Sequence, residues 1–284
     1  MKTVQEILNL STKYLEEKGI PLARRQAEEL LSHHLGLNRL DLYLKFDYPL
    51  QEVELTAIRE SLRRRSNREP VQYIQGQVEF YDTLIEVNPN VLIPRQETEI
   101  LVSLIVARLK KESDLSHRKL WDLCCGSGCI AISLKKAFPE LQVIASDVSL
   151  EAITVSKRNA YNNRVDVEFI EGDFLQPLKG NVVDYLVCNP PYIAQEEYHS
   201  LEPEVRNYEP KLALIGGDTG LEFYQKMSVN LHNHIVSGGN VWLEIGANQG
   251  VAISKMFKET GFWKTVDLIQ DWAGLDRFFF LEKH

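Results

Sequence analysis

The chain has 284 residues, 44% of them apolar, which is long enough for two domains with buried cores. Acidic residues outnumber basic ones, 40 to 32, and the net charge of −8 tilts away from a duplex-binding enzyme and toward a protein substrate. No stretch has the apolar length to cross a bilayer, and Met1–Glu6 lacks the apolar run of a signal peptide, so the expected location is the cytosol.

Residues 1–68 read as a small helical bundle. Val4, Ile7, Leu8 and Leu15 recur at helical spacing, and Gly19-Ile20-Pro21 stops that helix and starts another. The second, Leu22 to Leu35, carries Ala23, Ala27, Leu30 and Leu31 on one face; further pieces run from Arg39 to Phe46 and from Glu52 to Asn67. His33 and His34 read as packed or solvated side chains, and Arg63-Arg64-Arg65 with Arg68 as a solvated helix end. Alternation at Glu79-Phe80-Tyr81 and Leu84–Val87 predicts a hairpin within 71–93 that joins the bundle to a larger domain.

From residue 94 to the end the pattern is α/β. A helix at Ile100–Leu109 precedes the strand Leu120–Cys125, the turn Gly126-Ser127-Gly128 and a helix from Cys129 to Phe138. Strands follow at Leu141–Ser146, Val165–Ile170 and Val182–Cys188. Ile193 to Gly217 has little periodicity and reads as a functional loop. A helix at Leu221–Ile235, strands at Asn240–Ile245, Thr265–Gln270 and Arg277–Glu282, and a helix near Gly250–Glu259 complete seven strands.

Strand, glycine turn and helix open a nucleotide-binding βαβ unit, in which glycines let backbone approach a ligand. Neither a longer glycine fingerprint nor a Gly-Lys-Ser/Thr ending is present, so this is no phosphate loop. Asp147, about 20 residues past the turn, suits ribose hydroxyls. Asp173 and Phe174 follow the third strand and can bracket an adenine ring. Asn189-Pro190-Pro191-Tyr192 then closes the fourth strand. Asn189 offers a carbonyl acceptor and an amide donor, the prolines stiffen the loop, and Tyr192 adds a flat face. Such a clamp suits a planar amide or aromatic amine, and beside a methyl-donor pocket it is a site for methylating nitrogen. All four features fall at strand carboxyl ends, the edge where open α/β sheets bind ligands.

The cysteines are Cys124, Cys125, Cys129 and Cys188. Their spacing lacks the paired Cys-x-x-Cys pattern of a zinc site, and they read as small buried packing residues with no metal bound.

With these motifs the chain resembles the seven-strand S-adenosylmethionine-dependent methyltransferases. More narrowly, it resembles the release-factor glutamine methyltransferases (the PrmC/HemK family). Three stretches carry the narrower likeness: Pro70–Phe80, Val91–Glu99 (where Gln96 replaces a usual proline), and Tyr208-Glu209-Pro210 with Ala213-Leu214 and Gly217–Leu221. In that family the turn commonly reads Asp-x-Gly-Thr-Gly-x-Gly. Here Cys124 stands where glycine is usual, which implies a slightly reshaped pocket.

The resemblance implies a Rossmann-like sheet of seven mostly parallel strands, the last antiparallel, with a helical substrate-recognition domain at 1–70, a linker hairpin at 71–93 and a catalytic domain at 94–284. It implies methyl transfer from S-adenosylmethionine, leaving S-adenosylhomocysteine, to the glutamine of the Gly-Gly-Gln motif of class-1 release factors. Cys124, Cys125, Gly126, Ser127, Gly128, Asp147, Asp173, Phe174 and Asn189 would hold the donor. In catalysis Asn189 Oδ1 and the Pro190 carbonyl would accept the amide hydrogens, with Pro191 and Tyr192 as walls. Arg95 and Glu99 would serve a structural or substrate-loop role. A monomer without a nucleic acid partner is expected. The rival readings are a ribosomal-protein glutamine methyltransferase and a nucleic acid adenine-N6 methyltransferase, because a flipped base presents a similar amine.

Overall fold

The computed structural model describes residues 2–284, which fall into two compact units. One takes the chain up to Gln77 together with Glu202–Tyr208, and the other holds Val78–Leu201 and Glu209–His284.

The first unit is helical. Its α1 (Val4–Glu17) starts at a capping box: the Thr3 hydroxyl accepts from the Glu6 N–H at 3.3 Å, and the Glu6 carboxylate accepts from the Thr3 N–H at 2.9 Å. The helix buries Val4, Ile7, Leu8 and Leu15, the predicted stripe. The other helices are α2 (Ala23–Leu35), α3 (Arg39–Leu44), α4 (Glu52–Ser66) and α5 (Val71–Gln75). Their shared core includes Leu8, Leu15, Leu30, Leu31, Leu42 and Ile58. Each fully buried side chain of this kind is worth about 1.5–3 kcal/mol. The alternating pattern predicts strands only from residue 79, and the Val71 segment is helical instead. Pro70 precedes it, Gly76 ends it in the left-handed region, and Val71 and Ile74 turn into the helical core. His34 is packed, with its Nε2 2.6 Å from the Ser61 hydroxyl.

The arginine run differs from the solvated helix end expected of it. Arg63 is exposed and pairs with Glu60, but Arg65 is only 3% exposed. Its guanidinium reaches Glu204 at 2.7 Å, the Glu69 carbonyl at 3.2 Å, and the Gln26 side chain. Glu204 lies on the short helix within Glu202–Tyr208, the segment that belongs to this unit, and Tyr208 donates to the Asn67 carbonyl at 2.7 Å. A charge that should face water is therefore spent on holding a distant segment of chain, which only the fold can reveal.

The second unit begins with the hairpin β1 (Gln77–Phe80) and β2 (Thr83–Glu86), then α6 (Gln96–Leu109). There follow β3 (Lys119–Leu123), α7 (Cys129–Ala137), β4 (Gln142–Asp147), α8 (Leu150–Asn163), β5 (Glu168–Glu171) and β6 (Val183–Cys188). The segment read as a loop contains β7 (Ile193–Ala194), α9 (Pro203–Tyr208), which belongs to the first unit, and β8 (Ile215–Gly217), with β7 and β8 paired in parallel. Then come α10 (Glu222–Asn230), β9 (Ile235–Glu244), α11 (Gly250–Thr260), β10 (Trp263–Gln270) and β11 (Asp276–Lys283).

Seven strands form one sheet in the order β10-β11-β9-β6-β3-β4-β5. The last strand runs antiparallel to both neighbours and the central pairs are parallel. Parallel strands covered on both faces read as continuous apolar runs, and Leu120, Trp121, Leu123, Val183 and Tyr185–Cys188 are buried accordingly. The order reverses at β3: β4 and β5 extend to one side, β6 and β9 to the other. A crevice opens at the carboxyl edge of such a switch point.

Candidate active site

The switch point brings the two key motifs together. Leu123 and Cys188 are register partners at the ends of β3 and β6, so the chain leaves the sheet side by side into the glycine turn and the clamp. One strand further, Cys188 pairs with Leu243, which sets Glu244 next to Asn189 along the same edge.

A cavity of about 210 Å³ opens there. Cys124, Cys125, Gly126, Ser127, Asp147, Asp173, Phe174, Asn189 and Pro191 all line it. Gly128, Pro190 and Tyr192 do not. Gly128 lies against α8, where a Cβ would come within 2.8 Å of the Ser156 Cβ, so its smallness serves helix packing. Pro190 is buried. Tyr192 is held through its carbonyl, which accepts from Gln249 Nε2 at 2.8 Å, and burial pushes its hydroxyl up to about 12.

The glycine turn is held by Asp147 and Asn159. The Gly126 N–H donates to Asp147 Oδ2 at 2.9 Å, and the Ser149 N–H donates to Oδ1 at 3.0 Å. The carboxylate keeps acceptor capacity beyond these bonds for a ligand. Burial raises Asp147 above the usual carboxylate range, while the N–H groups of Ser149, Gly126 and Val148 hold it back. Asn159, buried on α8, donates to the Ser127 carbonyl at 2.9 Å and to the Glu86 carbonyl at 3.0 Å, tying turn and hairpin together. Cys124 sits at φ +57°, in the left-handed region that favours glycine. A non-glycine residue there costs about 1–2 kcal/mol.

The clamp rests on the segment that follows it. At Gly216 a Cβ would meet the Pro191 carbonyl oxygen at 2.4 Å, so β8 passes under the prolines only because that residue is glycine. Gln249 bonds both the Tyr192 and Gly220 carbonyls and accepts from the Gly246 N–H at 2.9 Å. At the rim, Glu209 is buried; it accepts from Arg95 at 2.5 Å and from the Ile93 N–H at 3.1 Å. This one carboxylate joins two rim segments, Leu92–Arg95 and Pro210–Ala213, whose side chains line the cavity.

Two buried carboxyls beneath the site were not among the sequence candidates. Asp122 accepts from the Ala131 N–H at 3.1 Å through Oδ2, while Oδ1 has no partner; burial pushes this carboxyl up to about 8. Glu244 accepts from the Thr98 hydroxyl at 2.7 Å, and Thr98 in turn accepts from Asn189 Nδ2 at 3.3 Å. Burial pushes Glu244 up to about 7, against the pull of Thr98, Arg277 and Asn189. Thr98 lies inside the Val91–Glu99 signature. Asp122 opens the turn motif, so the residues were visible even though their burial was not.

An adenosyl donor fits this cavity by its chemistry. Asp147 supplies free acceptor lone pairs of the kind a ribose diol needs, and Val148, Ala152 and Ile130 give an apolar wall. Phe174 and Phe223, edge to face with ring centroids 4.7 Å apart, both line it as well. Among the described residues, no group of three or more His, Cys, Asp or Glu side chains is arranged to hold a metal ion, and all four thiols are free.

Comparison with known proteins agrees with that geometry. Residues 6–76 match the family described as PrmC N-terminal domain, and residues 95–203 match the methyltransferase small domain. The release factor glutamine methyltransferase of Chlamydia trachomatis is 40% identical over 279 residues, covering 98% of this chain and 94% of that protein. The protein of the same description from Geobacter sulfurreducens is 40% identical over 275 residues, covering 97% and 95%. Among solved structures, a methyltransferase from Pyrococcus furiosus superposes with a TM-score of 0.51 at 19% identity, over 72% of this chain and 90% of that one.

Proposed function

This chain belongs to the release factor glutamine methyltransferase family, and from that premise we propose that it methylates the Gly-Gly-Gln glutamine of class-1 release factors. S-adenosylmethionine supplies an activated methyl group on a sulfonium, and leaves as S-adenosylhomocysteine. The observation that carries the reading is the juxtaposition of Asn189 with the glycine-turn cavity at the β3/β6 switch point.

A glutamine side-chain nitrogen is a poor nucleophile, because its lone pair is delocalised into the carbonyl. This chain's contribution is to hold that amide by its hydrogens. Asn189 Nδ2 is turned to Thr98, so Oδ1 on the other side of the carboxamide is the atom available to accept an amide hydrogen. The Pro190 carbonyl accepts the second. Both dipoles strengthen as positive charge develops on the nitrogen, which is where preorganised acceptors have most effect. Pro191 supplies the wall and Tyr192 the brace behind it. No strong general base is needed, because the methylated, cationic nitrogen is acidic enough to lose its proton to water.

The donor is held by Asp147 on the ribose side and by Asp173 and Phe174 on the base side, with Cys124–Ser127 along its length. The helical domain, residues 1–70, grips the release factor away from the glutamine loop. The same reading has the protein acting in the cytoplasm as a monomer without a nucleic acid partner. In support, the net charge is −8 and the arginine run is taken up by Glu60, Glu69 and Glu204.

Mass spectrometry of a purified release factor after incubation with the enzyme and S-adenosylmethionine tests this. A gain of one methyl on the Gly-Gly-Gln amide supports it. Methylation confined to a ribosomal protein or to adenine in nucleic acid overturns it.

A further inference from the structure

We infer that Glu244, acting through Thr98, is the positioning residue that sets which face of the Asn189 carboxamide meets the substrate. The inference rests on the reading of Asn189 as the amide acceptor, and deepens it.

A carboxamide has two ends that differ only in being donor or acceptor, and a clamp that presents the wrong end repels the substrate's N–H groups. Nothing in Asn189-Pro190-Pro191-Tyr192 itself chooses between the two. The choice comes from outside the motif. Thr98 has a single O–H to donate, and it lies 2.7 Å from Glu244 Oε2. While Glu244 is a carboxylate it can only accept, so the Thr98 proton is committed to it. The Thr98 oxygen is then left as an acceptor, and Asn189 must offer its NH2 across 3.3 Å. Oδ1 is thereby released to the cavity. The Asn189 amide also helps hold the Glu244 carboxyl down against its burial, which favours the same orientation.

Register makes the chain of contacts possible. Asn189 and Glu244 each follow a residue of the parallel β6/β9 pair, Cys188 and Leu243, and Thr98 on α6 reaches both. Thr98 and Glu244 are buried, which strengthens the bond between them.

Protonation of Glu244 reverses the arrangement. A protonated carboxyl can donate to Thr98; the hydroxyl is then free to donate onward, and the Asn189 oxygen turns toward it. The groups facing Glu244 are Glu97 and Arg277, with Tyr192, Tyr224 and Cys129 on the other packed elements. Both tyrosines and the thiol are pushed upward by burial, Tyr192 and Cys129 to about 12, and stay protonated through neutrality. With its own carboxyl raised to about 7, Glu244 changes state near neutrality.

The test uses the full chain with a release factor substrate, and measures kcat, KM and S-adenosylmethionine affinity against pH. Thr98→Val is expected to lower kcat about 10- to 100-fold, the scale of one buried hydrogen bond that acts on the reacting group, with donor affinity unchanged. Thr98→Ser, which keeps the hydroxyl, recovers most of that loss. Wild-type kcat should fall on the acid side of about pH 7, and Glu244→Gln, which cannot titrate, should flatten that limb. If Thr98→Val turns over like wild type while Asn189→Ala is inactive, the positioning role is overturned and the clamp stands. An acid limb that persists in Glu244→Gln overturns it too. Full activity in Asn189→Ala overturns the clamp itself.

Discussion

Leu123 and Cys188 face each other across the β3/β6 pair, and the residues that follow them, Cys124 and Asn189, leave the sheet together. The glycine turn and Asn189, separated by more than sixty residues of sequence, thus share one crevice. In the proposed reaction this pairing places donor and acceptor before either ligand arrives, and such placement can supply several kcal/mol of the barrier.

Asn189→Ala should reduce turnover about 100- to 1,000-fold, the usual effect of deleting one preorganised dipole at a reacting centre. Donor binding should be largely retained, because the glycine turn and Asp147 are untouched. Asn189→Asp should be similarly impaired, since it loses the Nδ2 donor to Thr98 and sets a second carboxyl beside Glu244. Steady-state kinetics with calorimetric titration of S-adenosylmethionine separates the two effects.

Asp147→Ala should act on donor affinity instead. It removes the acceptor for ribose and also frees the N–H groups of Gly126 and Ser149. Charge-assisted hydrogen bonds are worth about 1.5–3 kcal/mol, so the dissociation constant should rise about 10- to 100-fold. Asp147→Asn, with one acceptor left, should fall between.

Position 124 gives a test of backbone strain. Cys124→Val places a β-branched residue at φ +57° and should lower stability by about 1–2 kcal/mol, read as a fall in Tm. Cys124→Gly relieves the left-handed backbone but makes the unfolded chain more flexible. The two nearly cancel, and Tm should change little.

Ionisation of buried carboxyls gives stability a sign opposite to that of activity. Burial raises Glu244 to about 7 and Asp122 to about 8 in the folded protein, so the native state holds their protons where the unfolded chain has already released them. Their contribution is complete below the unfolded carboxylate range and is lost as pH rises through 7 and 8. Glu244→Gln should therefore gain stability relative to wild type as pH rises from the ordinary carboxylate range to about 7 and hold that gain above it, measurable by denaturant unfolding at each pH. A constant difference across that range would contradict the buried charge.

Glu209 links the two rim segments, and Glu209→Ala should free both. Arg95 is one-third exposed, so solvent moderates the loss of its partner, but the Ile93 N–H is left buried. Together these cost about 1–3 kcal/mol. KM for the release factor should rise more than KM for S-adenosylmethionine, because the rim segments Leu92–Arg95 and Pro210–Ala213 contain none of the residues proposed to hold the donor.

Features written in contiguous residues were legible without a structure. The strand, the Gly126-Ser127-Gly128 turn and the helix after it form one local unit, and each part has its own short-range signature. Asn189-Pro190-Pro191-Tyr192 is similarly self-contained. The amphipathic stripe of Val4, Ile7, Leu8 and Leu15 announced α1, and alternation announced the hairpin at β1 and β2. These patterns depend on chemistry between near neighbours, so a reading along the chain captures them.

What the chain alone left open are relationships across long separations. Thr98 stands 91 residues from Asn189 and 146 from Glu244, and nothing local to any of the three points at the others. Arg65 looked like a solvated charge until the fold set Glu204 against it, 139 residues away. Asp122 was one letter of a familiar turn, and its burial in the fold, with Asp147 nearby, pushes its carboxyl up to about 8. Sequence determined the element types, the motifs and their place at strand ends, because those follow from backbone preference and apolar periodicity. The sheet's register and burial decided which groups meet, which way their protons point and at what pH they ionise, because hydrogen-bond direction and dielectric exist only once the neighbours are in place.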